Sequence, residues 1–147
     1  MLARDVMSSP VITLRPDVPV HAAAALLVSH GFTGAPVVDR AERVIGIVTE
    51  ADLVRGRIVP DGWAVPEQPE PTVADVMTPA PISMQPDADL ADVVALMLDE
   101  GIRSVPIVSD GRLVGVVSRR DALRVVANRE LTSDEVRRRR GIPAAGR

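Results

Sequence analysis

Gly46-Ile47-Val48-Thr49-Glu50-Ala51-Asp52 and its copy, Gly115-Val116-Val117-Ser118-Arg119-Arg120-Asp121, decide the reading of the chain. Each heptad reads as the end of a buried β-strand that turns directly into a helix. Val and Ile supply the strand, and Thr49 or Ser118 is a good N-cap where the periodicity changes. Asp52 or Asp121 follows three residues later, in the first helical turn. A helix N-terminus offers free N–H groups and a partial positive charge. A cap hydroxyl there can bond a phosphate. A carboxylate one turn in can accept two bonds from a vicinal diol such as a ribose. The competing reading is a plain capping box with Asp in the place of Glu. The duplication of the whole heptad prompts the search for a longer repeat.

Outward from the heptads the two halves align. Asp5-Val6-Met7 pairs with Asp75-Val76-Met77, seventy residues on, and the same shift pairs Pro16-Asp17 with Pro86-Asp87, Gly31 with Gly101 and Pro36 with Pro106. One extra residue near Glu42 then brings Gly46 onto Gly115 and Asp52 onto Asp121. Self-similarity of this length marks a tandem repeat.

Each repeat has one plan. Val11 to Leu14 and Ile82 to Met84 are short apolar strands ended by Pro-Asp. The helices that follow place Val20, Ala23, Ala24, Leu27 and Val28, or Leu90, Val93, Val94, Met97 and Leu98, on one apolar face. Gly31 and Gly101 stand at the C-caps. Ala35-Pro36-Val37-Val38 and Val105-Pro106-Ile107-Val108 are strands opened by proline. Asp39 to Glu42 and Ser109 to Gly111 are hairpin turns, and Val44 to Val48 and Leu113 to Val117 lead into the heptads and second helices. The fold class is α+β, with the order β-α-β-β-α twice. The predicted division is repeat 1 at 3–56, a proline-rich linker at 57–71, repeat 2 at 72–128, and a polar, arginine-rich tail at 129–147. Trp63 in the linker reads as a cover for apolar surface or as a lid over a ligand. Leu131 to Arg140 reads as a short helix capped by Ser133 or as disordered.

Composition narrows the function. The chain has 147 residues, 46% of them hydrophobic, enough for a core, but Phe32 and Trp63 are the only aromatics. A formal net charge of -3 argues against a broad nucleic-acid surface. The absence of Cys excludes disulfides, thiolate catalysis and zinc-thiolate sites. No run of residues resembles a signal peptide or a membrane span, so a cytoplasmic location is expected. His21 and His30 are nine apart, which is not the spacing of a helical metal pair. No triad or glycine-rich phosphate loop is present, and no enzyme activity or metal site is expected. Arg137 to Arg140 points all round a helix and reads as solvated rather than as a nucleic-acid face. Ala22 to Ala25 reads as a place for close helix packing.

The pattern of Asp-Val-Met, Pro-Asp, helix, Gly, x-Pro-Val-Val-Asp and Gly-Ile-Val-Thr-x-x-Asp resembles a tandem pair of cystathionine-β-synthase (CBS) domains, of the stand-alone bacterial and archaeal kind, over about residues 3 to 127. The resemblance implies two repeats packed about a pseudo-twofold axis, with clefts between them that bind AMP, ADP, ATP or S-adenosylmethionine reversibly, and no required cofactor. It implies a homodimer that signals to a separate effector protein or through self-association, as in energy sensing. Residue by residue, Asp52 and Asp121 match the ribose-binding acid, and Thr49 and Ser118 the phosphate-side hydroxyl. Thr33-Gly34-Ala35-Pro36 and Arg103-Ser104-Val105-Pro106 match the loop lining the base pocket, and Ile12-Thr13 and Ile82-Ser83 the backbone contacts to the base. Repeat 2 adds Arg119 and Arg120, which oppose the helix dipole unless an anion offsets them; with Arg103 they read as serving phosphate or, equally, as a solvated pair of arginines. The alternatives are a ligand-free interaction module and nucleic-acid binding through the arginine tail.

Overall fold

The computed structural model describes residues 1–9, 11–57, 70–128 and 133–141. Trp63 and most of the predicted linker lie outside them. The elements are α1 (Ala3–Val6), α2 (Val20–His30), β1 (Gly34–Val38), β2 (Val44–Thr49), α3 (Glu50–Arg57), α4 (Val73–Val76), β3 (Thr78–Pro79), α5 (Leu90–Glu100), β4 (Ser104–Ser109), β5 (Arg112–Ser118), α6 (Arg119–Ala127) and α7 (Ser133–Arg139). Helices and two small sheets give the α+β class. They form two compact units, unit 1 from Met1–Val11 with Ile82–Arg147 and unit 2 from Ile12–Pro81.

The compact units divide the chain differently from the sequence repeats. The first Asp-Val-Met arm belongs with the second repeat, and the second arm with the first. In unit 1 the arm docks through Ala3 N–H to Ala88 O at 2.8 Å and Ser8 N–H to Val116 O at 2.9 Å. In unit 2 the bonds are Val73 N–H to Val18 O at 2.8 Å and Ala74 N–H to Pro16 O at 2.9 Å. The motif explains itself locally. Asp5 and Asp75 accept the N–H of Leu2 and Thr72, each at 2.8 Å, and so cap a one-turn helix. Met7 then fills the space beside Gly115, and Met77 the space beside Gly46, where any Cβ would collide with the methionine sulfur.

Each unit has its own core. Unit 2 buries Leu14, Val20, Ala23, Leu27, Ala35, Val37, Val48, Leu53 and Val73. Unit 1 buries Ala3, Leu90, Val93, Met97, Val105, Ile107, Val117 and Val125, with Val136 of α7. Gly31 and Gly101 close α2 and α5 in the left-handed conformation, at φ 67° and 65°. Two expectations for the apolar faces fail, because Val28 is 81% and Leu98 49% exposed. Both lie in the last turn of their helix.

The sheets pair β1 with β2 and β4 with β5, both antiparallel. Asp110 and Gly111 take the second hairpin through φ 52° and 78°, as a two-residue turn requires. The predicted first strands shrink to single parallel bridges, Leu14 to Val37 and Met84 to Ile107. Leu14 N–H donates to Pro36 O, and Val38 N–H to Leu14 O, each at 3.0 Å. The next rung upstream would need an N–H from Pro36, which has none, and Pro106 imposes the same stop on Ile82. The ladder ends there, leaving the carbonyls of Ile12 and Ile82 without that rung.

Candidate functional site

The heptads fold as read. In unit 2 the Thr49 N–H donates to Asp52 Oδ2 at 2.9 Å, and the Asp52 N–H returns to Thr49 Oγ1 at 3.3 Å. In unit 1 the Ser118 N–H and hydroxyl both donate to Asp121 Oδ2, at 2.8 and 2.9 Å, and the Asp121 N–H returns to Ser118 Oγ at 3.1 Å. Both capping boxes are therefore formed. Asp is short enough to reach back only if held close to the helix axis, and each carboxylate is accordingly 5% exposed.

A buried carboxylate needs compensation. One oxygen has the cap N–H, and the other faces an arginine one turn on, Arg55 to Asp52 Oδ1 at 2.5 Å and Arg124 to Asp121 Oδ1 at 3.5 Å. The arginines are 73% and 70% exposed along their side chains. The sequence reading missed both, although Asp-x-x-Arg recurs in the two halves. Such i, i+3 pairs are common on helix surfaces and carry little weight alone.

The other expected residues gather at the same ends of the sheets. Glu50 N–H donates to Thr33 O and Arg119 N–H to Arg103 O, each at 2.9 Å, which ties the pre-strand loop to the helix start. Gly34 faces Thr49, and Ser104 faces Ser118, in the strand register. A Cβ on Gly34 would lie 3.0 Å from Val48 O, so this approach suits glycine. Ile12 and Thr13 precede the Leu14 bridge toward Gly34, and Ile82 and Ser83 precede the Met84 bridge toward Ser104. Ala35, Pro36, Val105 and Pro106 are buried and present little or no surface at the site. Ile12 and Thr13 are half-buried, whereas Ile82 and Ser83 are exposed. Each unit thus collects its own set, eight residues from one repeat and ten from the other, around one helix N-terminus.

The sets differ in charge. Unit 2 starts its helix with Glu50-Ala51, and unit 1 with Arg119-Arg120. Arg119 Nε donates to Ile102 O at 3.2 Å, which lays its guanidinium along the loop before β4. Arg120 is exposed.

Other features are accounted for elsewhere. A cavity of about 380 Å³ in unit 1 is lined by Met1, Asp89, Leu90, Ala91, Glu135, Arg138 and Arg139, none of them an expected ligand residue. His21 pairs with Glu70, and His30 stacks on Phe32 at 5.5 Å. Among the described residues no three His, Asp or Glu side chains cluster to hold a metal ion, and no helix is long and apolar enough to cross a membrane.

Comparison with known proteins places this geometry. The CBS domain family model matches residues 3–58 and 73–128. A relative from Methanopyrus kandleri, uncharacterized protein MK0525, is 35% identical over 82% of this chain and 60% of its own length. Another, MJ1225 of Methanocaldococcus jannaschii, is 29% identical, with 85% of this chain covering 42% of it. The chain thus spans about half the length of these relatives. The crystal structure of the CBS domain pair of protein MJ0100, in complex with 5′-methylthioadenosine and S-adenosyl-L-methionine, matches with a TM-score of 0.76 at 28% identity, over 88% of this chain and 98% of that one. CBSX2 in complex with AMP matches with a TM-score of 0.75 at 26% identity, over 88% and 98%. Two matched segments, a shared fold and the repeated capping box lead to one assignment: the chain belongs to the CBS domain family, as a tandem pair.

Proposed function

We propose that this chain is a non-catalytic regulatory module that binds an adenosyl ligand reversibly, at one or both helix N-termini described above. The observation that carries the reading is the buried Asp52 or Asp121, held in a capping box with one oxygen turned to an exposed arginine. That oxygen is placed to accept a ribose hydroxyl when Arg55 or Arg124 swings out or shares it. Thr49 or Ser118 offers a hydroxyl on the phosphate side, next to the helix N-terminus. The carbonyls of Ile12 and Ile82, spared a ladder bond by Pro36 and Pro106, suit the amino edge of adenine. The structural relatives that hold AMP, methylthioadenosine and S-adenosylmethionine support the same ligand class.

The two ends differ in preference. Arg103, Arg119 and Arg120 favour a di- or triphosphate at unit 1, while Glu50 disfavours extra phosphate at unit 2 and suits AMP or an adenosyl thioether. Binding is transmitted to a separate effector protein or to self-association as a homodimer.

Thermal shift against AMP, ADP, ATP, methylthioadenosine and S-adenosylmethionine tests this. Ligand at a hundred times its dissociation constant adds about 2.7 kcal/mol. Asp52→Asn and Asp121→Asn are the informative variants, because Asn keeps an acceptor for the cap but loses the charge. A shift abolished by one of them assigns the ligand and the end that binds it. No shift with any ligand, in folded protein, overturns the proposal in favour of a ligand-free interaction module.

A further inference from the structure

α2 and α5 are sequence equivalents, yet among the described residues only α5 is covered by a further helix on its outer side. Ala91 and Ala95 are 3% and 5% exposed, whereas the matching His21 and Ala25 are exposed. The cover is α7. Val136 joins the unit 1 core at 7% exposure. Arg139 reaches Asp89 at 2.8 Å and Asp92 at 3.6 Å, and Arg140 reaches Asp99 at 2.6 Å. Within the arginine run that reads as solvated, Arg139 and Arg140 are ion-paired to α5 while remaining exposed.

The acidic row belongs only to the covered helix. Asp89, Asp92 and Asp99 stand where α2 has Pro19, Ala22 and Ser29. The charges that meet α7 are thus present in the repeat that α7 packs against and missing in the other. All five side chains are between 28% and 49% exposed, so water and salt compete for every pair. Val136 is the single buried apolar anchor among the described residues of α7. A half-open cavity of about 380 Å³ lies between α7, Met1 and the start of α5.

We propose that α7 is an ionic strap, a releasable cover that closes the outer face of α5 and opens when its arginine pairs are screened or taken by a competing anion. Release uncovers Ala91 and Ala95 beside a row of three carboxylates, and local opening of this kind precedes global unfolding. The device is independent of the ligand ends, since none of its residues belongs to them.

Backbone hydrogen exchange on the full chain tests the strap. Arg139→Glu with Arg140→Glu speeds exchange across residues 134–141 by about tenfold, with α2 unchanged as the internal control. The unaltered chain shows the same direction of change in about 1 M sodium chloride, where the Debye length is about 3 Å. Arg140→Asp loosens α7, and adding Asp99→Arg restores protection. Exchange that ignores both charge reversal and salt, or a swapped pair that fails to restore protection, means that packing alone holds α7 and overturns the proposal.

Discussion

Unit 1 starts its long helix with a self-contained cap, the Asp89 side chain accepting the Ala91 N–H at 2.9 Å. Unit 2 has Pro19 in that place, and its His21 N–H donates to Glu70 Oε1 at 3.1 Å. The backbone demand is identical, since a helix start leaves free N–H groups, but the two units meet it with different residues. What the copies share is dictated by backbone geometry: the left-handed glycines, the glycine notch for a methionine, the capping box with Asp. What they do not share is charge on the outer surface. The two copies share a scaffold and differ in electrostatics, so a covering helix can tell one unit from the other.

The sharpest way to break the comparison is to cut the chain. Unit 2 is contiguous, so a fragment of residues 12–81 is expected to melt cooperatively, as followed by circular dichroism. A fragment of residues 3–56, a complete sequence repeat, lacks Val73 and Met77 and is expected to show no cooperative transition. The reverse result would mean that the arms do not belong where they are described.

Equivalent core positions should rank by size. Leu90 and Val20 are both fully buried, and urea denaturation is expected to show a loss of about 3 kcal/mol for Leu90→Ala and about 2 kcal/mol for Val20→Ala. At the capping boxes, Ser118→Ala and Thr49→Ala are each expected to cost about 1 kcal/mol. A larger loss for Ser118→Ala would reflect the extra bond from its hydroxyl to Asp121. The smallest effect is on the surface. Asp99→Asn removes one half-exposed partner of Arg140 and is expected to cost under about 1 kcal/mol, less in high salt. The matching Ser29→Asp on α2 should gain nothing, because among the described residues no helix packs there as α7 does on α5.

Much of this was legible in the residues. The heptads, the proline-opened strands and the glycine caps each carry a local physical requirement, and a repeat doubles its visibility. The exchange of the arms was not legible. Met7 and Met77 are the same motif, and Gly46 and Gly115 are the same notch, so either pairing satisfies the pattern. The first strands read longer than they are, because their apolar character is visible in one dimension and the rung missing at Pro36 and Pro106 is not. The docking of α7 was hidden because Arg137 to Arg140 looks uniform in one dimension. Its meaning appears only when Asp89, Asp92 and Asp99 are set against Pro19, Ala22 and Ser29. Arg55 and Arg124 are hard to single out because Asp52 and Asp121 already read as ligand groups.

The most direct test of the central claim is isothermal titration of AMP, ATP and S-adenosylmethionine into the full chain and into Asp52→Asn and Asp121→Asn. The expected result is saturable binding of an adenosyl ligand that one variant weakens by tenfold or more, about 1.4 kcal/mol, while the other leaves it intact, with ATP lost preferentially from Asp121→Asn. Heats that stay flat for every ligand, or affinities that neither variant changes, would contradict the assignment of ligand binding to the two capped helix ends.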